Sequence, residues 1–224
     1  KKERAKFKGA LIITESIFSM DGDRAPLKEL VRLKEKYNCR IMVDEAHATG
    51  LFGENGSGVV EEEGLSDRID LIMGTFSKAL AGFGAYLATS RNIADYLINT
   101  CRSFIYSTAL PPALIACNLA SLELIKDEPQ RRNMLLSRAG KLRVELKEKG
   151  FCVRGSSQII PVILGDSFRV IEFAAKLQEK GYWVLAVRPP TVPAGGARLR
   201  FSLSYYHNAE TLNKLIDVIS EIKI

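Results

Sequence analysis

The feature that most constrains the fold is a short apolar, β-branched run ending in polar residues, then a helical pattern, then a second such run. The first run is "GALIITESIF" at 9–18 and the second is "RIMVDEAHATG" at 40–50. Apolar runs of this length read as strands covered on both faces, the habit of parallel sheets. Between them lies "APLKELVRLKEKYN". Its Leu27, Leu30, Val31 and Leu33 fall near helical spacing, with Pro26 at the first turn and Asn38 at the end. Parallel strands need such a crossover, so the order strand–helix–strand predicts an α/β layer. A glycine-bearing connection with one short helix, "NGSGVVEEEGLSDRI", leads to a third strand, "DLIMGTFSK", and then to a fourth, "GAYLATS". Only the brief turn at Ala81–Phe83 separates the last two. It has no room for a crossover helix, so the fourth strand is expected to run antiparallel.

From "NIADYLINTCRSF" onward the balance changes. Pro111-Pro112 opens a long helical pattern, "ALIACNLASLELIKD", and a second, "PQRRNMLLSRAGKLRVELKEKG", is closed by Gly150. There follow "QIIPVILG" (strand), "FRVIEFAAKLQEKG" (helix), "YWVLAV" and "ARLRFSLS" (strands) and "AETLNKLIDVISEI" (helix). The boundary is placed near Asp127–Pro129. Residues 1–127 then form part of a larger α/β domain with a mostly parallel sheet, and 128–224 a small C-terminal α+β domain. The chain enters a buried-type strand almost at once, and a central strand needs neighbours on both sides. An earlier portion is therefore expected to be absent from this chain.

Composition narrows the class of function. Lys and Arg exceed Asp and Glu by 32 to 26, a formal charge of +6. The basic start "KKERAKFK" invites a nucleic-acid reading, but no aromatic-interleaved groove follows it, so no nucleic-acid partner is expected. The excess suits polyanionic ligands such as phosphate or a coenzyme A chain. Cys39, Cys101, Cys117 and Cys152 are scattered, without metal-ligand spacing, and are expected to be buried thiols in a reducing compartment. No run is long enough to span a bilayer, and the charged start is unlike a secretory signal. The expected location is cytoplasmic.

In open α/β sheets, ligands bind beyond the carboxyl ends of the strands. Polar groups fall at those ends: Ser19 after the first strand, Asp44 and His47 after the second, Thr75 and Lys78 after the third. Each has an ordinary alternative. Asp44 could be a turn aspartate, His47 a loop histidine, Ser19 and Thr75 turn hydroxyls, and Lys78 a solvated lysine. Against the last stand the apolar strand before it and the small residues around it. A partly desolvated lysine has a lowered pKa and can form a Schiff base. "GENGSG" has neither phosphate-loop order and reads as a flexible loop. Asn208 is explained as a helix N-cap behind His207. Aspartate, histidine, hydroxyl and lysine together suit pyridoxal 5'-phosphate, which needs a lysine for its aldehyde, an acid for its ring nitrogen and donors for its phosphate.

Five motifs in order carry a resemblance from Gly9 onward: "TESIFSMDGDRAPL", "VDEAHATGLFGENGSG", "MGTFSKALAGFGAYLA", "FIYSTALPPA" and "VRPPTVPAGGARLRFSLS". They resemble the α-oxoamine synthases, pyridoxal-phosphate acyltransferases of the aspartate-aminotransferase fold (fold type I). The resemblance implies that Lys78 is the Schiff-base lysine and Asp44 the partner of the ring nitrogen. His47 and Ser19 would contact the phenolic oxygen, and Thr75 would hold the phosphate. Arg200 would grip the amino-acid carboxylate, with Thr191 and Arg188 as substrate-side contacts. Ser107 and Thr108 would reach across a dimer interface, since the family builds its sites in homodimers. No metal and no membrane are implied.

The family joins an amino acid to an acyl thioester, on coenzyme A or an acyl-carrier protein, with loss of carbon dioxide. "RPPTVPAG" and "STALPP" look most like the branch that feeds biotin biosynthesis, implying L-alanine and a pimeloyl thioester. Sister enzymes taking glycine with acetyl or succinyl thioesters, or serine with a long acyl chain, are the alternatives. A truncated or non-catalytic chain that only binds a catalytic relative is another. The presence of Lys78, Asp44 and His47 argues against a chain that has lost its chemistry. The family's N-terminal portion, with its phosphate-binding loop and ring-stacking residue, has no counterpart here.

Overall fold

The computed structural model describes residues 6–222, so the first five residues of the basic start lie outside the described residues. Two compact units are present. The first takes the described residues up to Ile17 together with Ala25–Pro129, and the second takes Phe18–Arg24 and the described residues from Gln130.

The first unit is built on a four-stranded sheet of β1 (Leu11–Glu15), β2 (Arg40–Asp44), β3 (Leu71–Thr75) and β4 (Ala85–Thr89), in that spatial order. β1, β2 and β3 are parallel, and β4 returns antiparallel to β3 with Gly74 opposite Tyr86, as its short connection requires. Helix α1 (Leu27–Lys36) crosses from β1 to β2 and buries Leu27 and Val31 completely, each worth about 1.5–3 kcal/mol. Ile41, Val43, Ala48, Phe52, Val59 and Leu80 complete the core around the strand ends. The long connection holds α2 (Val59–Glu62) and a 3-10 turn at Ser66–Arg68. Its "GENGSG" segment is closed rather than loose: the Glu61 carboxylate accepts from Asn55 N, Asn55 Nδ2 and Ser57 N.

Helices α3 (Arg91–Thr100) and α4 (Arg102–Ile105) follow β4, and α5 (Pro112–Asp127) closes the unit. Among the described residues, β1 is a central-type strand that pairs on one side only, with β2. It reads as a buried strand but lies at the sheet edge, where Ile13 is 67% exposed.

The second unit carries an antiparallel sheet in the order β5 (Cys152–Val153), β6 (Ile159–Gly165), β8 (Ala197–Ser202), β7 (Leu185–Val187). Helices α6 (Pro129–Glu148), α7 (Ser167–Glu179) and α8 (Ala209–Glu221) belong to it, apart from Pro129. α7 and α8 are capped as their sequences suggest: Asp166 accepts from Arg169 N and Asn208 from Thr211 N. β7 is shorter than "YWVLAV" predicted, and Trp183 before it is exposed. Residues 18–24 dock through Ser156 N to Gly22 O, and Gly22 at φ +62 stands too close to Ile159 O for any side chain.

The cysteines are free, but none is buried: Cys117 sits on the exposed side of α5 and Cys152 on an edge strand. Among the described residues, no helix is long and apolar enough to cross a membrane.

Candidate active site

Parallel pairing brings the carboxyl ends of β1, β2 and β3 to one edge of the first sheet. Glu15 lies opposite Asp44, and Asp44 opposite Met73, two residues before Thr75. Asp44 is half-buried at the end of β2. Its Oδ1 accepts from Ala46 N at 2.7 Å, which folds the chain into the turn carrying His47. The turn-aspartate reading is thus satisfied by Oδ1, and Oδ2 remains for another partner. His47, three residues after Asp44, is half-buried in the same turn.

The end of β3 holds a pair of hydroxyls. Buried Thr75 donates its Oγ1 proton to Gly84 O at 2.9 Å and lies 2.8 Å from Ser77 Oγ. Because Thr75's proton is already engaged, exposed Ser77 is the freer donor for an anion. Lys78 follows directly and is exposed. The desolvation expected of Lys78 is therefore not supplied by this chain's own packing. Beyond it the chain turns back through Ala81 (φ +51) and Gly84 (φ +97). Gly84 is needed for its backbone angle and Gly82 for room, since a Cβ there would sit 2.0 Å from Asn118 Oδ1.

The turn after β2 is anchored by a carboxylate that the sequence reading passed over. Glu45 is fully buried and accepts from Ser16 Oγ (2.5 Å), Val60 N (2.6 Å) and Val59 N (3.2 Å). Burial pushes its carboxyl above the ordinary glutamate range. The hydrogen bonds from Ser16, Val60 and Val59 oppose that shift, and the neighbouring Asp44 charge adds to it. A signal was available: successive strand side chains face opposite ways, so one carboxylate of the Asp44-Glu45 pair must enter the layer and find donors. Gly58, at φ +134, leaves the space that carboxylate fills.

The other candidates fall in the second unit or on exposed segments. Ser19 and Arg200 meet directly, with Arg200 Nε donating to Ser19 O at 2.6 Å and Nη1 to Ser202 Oγ at 2.7 Å. Burial lowers the Arg200 pKa from its usual value without discharging it. Its neighbour in "ARLRF" differs: Arg198 is buried and its Nη1 pairs with Asp21 at 2.5 Å. Arg188 and Thr191 are brought together by a turn after β7, where Thr191 N donates to Arg188 O. Ser107 and Thr108 lie on the exposed stretch before α5. A cleft of 710 Å³ opens at the opposite, amino ends of the strands, where Lys34 and Arg40 pair with Asp70. It holds none of the candidate residues.

The donor set suits pyridoxal phosphate. An exposed primary amine, two hydroxyls 2.8 Å apart and a half-buried carboxylate with one uncommitted oxygen share one sheet edge.

Comparison with known proteins gives three kinds of match. The family model for class I and II aminotransferases matches residues 1–219. The 8-amino-7-oxononanoate synthase of Anaeromyxobacter sp. (strain K) is 44% identical over 98% of this chain and 55% of its own length. Among solved structures, a serine palmitoyltransferase variant from S. paucimobilis with bound PLP and myriocin superposes with a TM-score of 0.91 at 32% identity. The match covers 98% of this chain and 56% of that one. The 8-amino-7-oxononanoate synthase of Francisella tularensis gives a TM-score of 0.84 at 28% identity, over 98% of this chain and 65% of that one. The chain spans about half the length of the curated relatives it matches.

Proposed function

Since the chain belongs to the class I and II aminotransferase family, we propose that it carries the lysine-bearing part of an α-oxoamine synthase that binds pyridoxal 5'-phosphate. The observation that carries this reading is the convergence of Lys78, Thr75, Ser77 and Asp44 on the carboxyl edge of adjacent parallel strands. When bound, the cofactor supplies an electron-accepting ring for bonds at the α-carbon of an amino acid. Lys78 would hold the cofactor through its primary amine, and that amine would serve as the base for the α-proton of the amino acid. Asp44, through its uncommitted oxygen, holds a proton on the ring nitrogen. His47 orients the phenolic edge, and the Ser77 and Thr75 hydroxyls bind phosphate. In the second unit, Arg200 fixes the substrate carboxylate with its planar fork, and Ser19, Arg188 and Thr191 contribute substrate-side or ring contacts. Ser107 and Thr108 serve a partner subunit in a homodimer.

The reaction we assign is condensation of L-alanine with pimeloyl-CoA. A carbon–carbon bond forms between the alanine α-carbon and the thioester carbonyl. The carbon–sulfur bond breaks to release coenzyme A, the alanine carboxylate leaves as carbon dioxide, and the electron pair left on the α-carbon takes up a proton. The 44% identity to an 8-amino-7-oxononanoate synthase supports alanine. Among solved structures, the serine palmitoyltransferase at 32% identity exceeds the Francisella tularensis synthase at 28%, which keeps serine as the competing substrate. The test is thiol release from pimeloyl-CoA in the presence of pyridoxal phosphate, with alanine, glycine and serine compared in parallel. Release with alanine at least ~10-fold faster than with serine is expected, the scale of one pocket contact. Faster release with serine would transfer the chain to the other branch, and no release with any of the three would remove the activity from this chain.

A further inference from the structure

Helix α5 presents a contradiction. Its run "PALIACNLASLELI" is apolar on all sides, yet the one residue it buries is polar, Asn118, at 5% exposure. Leu119, Leu122 and Leu124 stay exposed on the same helix. Burying an amide beside so many aliphatic side chains costs free energy unless its hydrogen bonds are met. They are met on a single residue: Nδ2 donates to Phe83 O at 2.9 Å, and Oδ1 accepts from Phe83 N at 3.3 Å. One turn on, Ser121 Oγ donates to Leu80 O at 2.8 Å. The helix thus grips the loop after Lys78 at two points, on either side of Ala81 and Gly82.

That grip falls where the loop stores strain. Ala81 is held at φ +51, a region that costs a residue with a Cβ about 1–2 kcal/mol. Such a conformation persists only where its surroundings hold it. Ala81 N donates to the Lys78 carbonyl, so the strained residue is bonded directly to the lysine's own backbone. On the inner side, the loop is tied by Phe76 N to Gly84 O and Gly82 N to Phe76 O. From α5 come the three bonds made by Asn118 and Ser121. Gly82 completes the fit by leaving the space that Asn118 Oδ1 occupies.

We propose that Asn118, with Ser121, is a positioning residue for Lys78: the pair clamps residues 80–83 and so sets the direction in which the lysine amine leaves the end of β3. This rests on the reading of Lys78 as the attachment lysine. The clamp predicts that pyridoxal phosphate attaches to Lys78 more slowly, and to other lysines no differently, when it is removed.

The experiment uses the full chain with pyridoxal phosphate alone, well below the melting temperature. It measures the rate of attachment at Lys78, read by borohydride reduction and peptide mapping. It also measures amide exchange of the peptide covering 79–84 without cofactor. Asn118→Leu removes both bonds to Phe83 and should slow attachment and speed exchange, each by at least ~10-fold, the scale of a single lost buried hydrogen bond. Asn118→Asp keeps the acceptor for Phe83 N and should restore part of both. Ser121→Ala deletes only a hydroxyl and carries the test if Asn118→Leu does not fold; a change of ~3-fold is expected there. Attachment rates equal to wild type in these variants overturn the proposal, even if stability falls. So does faster exchange without slower attachment. If the wild-type chain itself takes no label at Lys78, the cofactor reading fails first and this inference falls with it. The wild-type control separates that case from failure of the clamp alone.

Discussion

Two loops leave the same edge of the first sheet, and they are held in opposite ways. The loop after β2 is fastened from within. The buried Glu45 carboxylate gathers Ser16 Oγ and the Val59 and Val60 amides, Gly58 gives it room, and Thr49 Oγ1 returns to Glu45 O. The loop after β3 has no buried charge among its described residues. It is drawn tight by backbone bonds on one side and by the neutral Asn118 and Ser121 side chains of α5 on the other. The first arrangement suits a group that must stay in place, as Asp44 would beside a ring nitrogen. The second would suit a lysine that, under the proposed function, alternates between an attached and a free state. Fixed and movable partners are thus distinguished by whether the anchor is an ionisable group in the core or an amide on a neighbouring helix.

The largest effect that can break this comparison is Glu45→Ala. It strands two backbone amides and a hydroxyl in the core and should cost about 3 kcal/mol, read from the urea midpoint. A loss below about 1 kcal/mol would mean that the first loop is not held from within. Next come the paired glycines. Gly58→Ala places a Cβ 2.5 Å from Glu45 Cδ at a positive φ, and about 2–3 kcal/mol is expected from overpacking and strain. Gly82→Ala meets Asn118 at Oδ1 (2.0 Å) and Cγ (3.2 Å), so the amide must shift and give up its bond from Phe83 N. Its cost should be about 1 kcal/mol and should appear mainly as faster exchange in 79–84. Equal costs for the two would erase the distinction.

The smallest effect is a pH dependence. Because Glu45 keeps its proton to higher pH in the folded protein than in the unfolded chain, the native state binds more protons above the ordinary value of 4.5. Stability therefore falls as pH rises from there through the raised pKa, where the loss is complete. Glu45→Gln should flatten that slope in melting experiments, while Asn118→Leu should leave it unchanged. A Glu45→Gln slope identical to wild type would assign the dependence to another group.

Much of this was legible in the sequence, for identifiable reasons. The parallel β1–β2–β3 order followed from apolar runs separated by a crossover helix, and the antiparallel β4 from a turn too short for another. Gly84 was readable as a turning point because the chain has to reverse between β3 and β4. The anchors were not readable in the same way. Glu45 was hidden behind Asp44, the residue with the more obvious chemistry, although strand alternation implies that the two face opposite sides. Asn118 sits in a run that reads only as a long helical pattern opened by Pro111-Pro112. Only the structure places its amide on Phe83, 35 residues away. Ser77 was overlooked beside Thr75, and the hydrogen bond from Thr75 to Gly84 O is what makes Ser77 the freer hydroxyl. The cysteines were expected to be buried and are not, because hydrophobicity reports what a residue can bury, whereas burial depends on what packs against it.

The central claim is that one lysine, at the end of β3, is the reactive amine of this chain. Its most direct test is borohydride reduction of the full chain after incubation with pyridoxal phosphate, followed by mapping of every lysine-containing peptide. A single stoichiometric adduct on Lys78, lost in Lys78→Ala and weakened about 10-fold in affinity in Asp44→Asn, is the predicted result. Label scattered over surface lysines, with Lys78 no more modified than the rest, would contradict it.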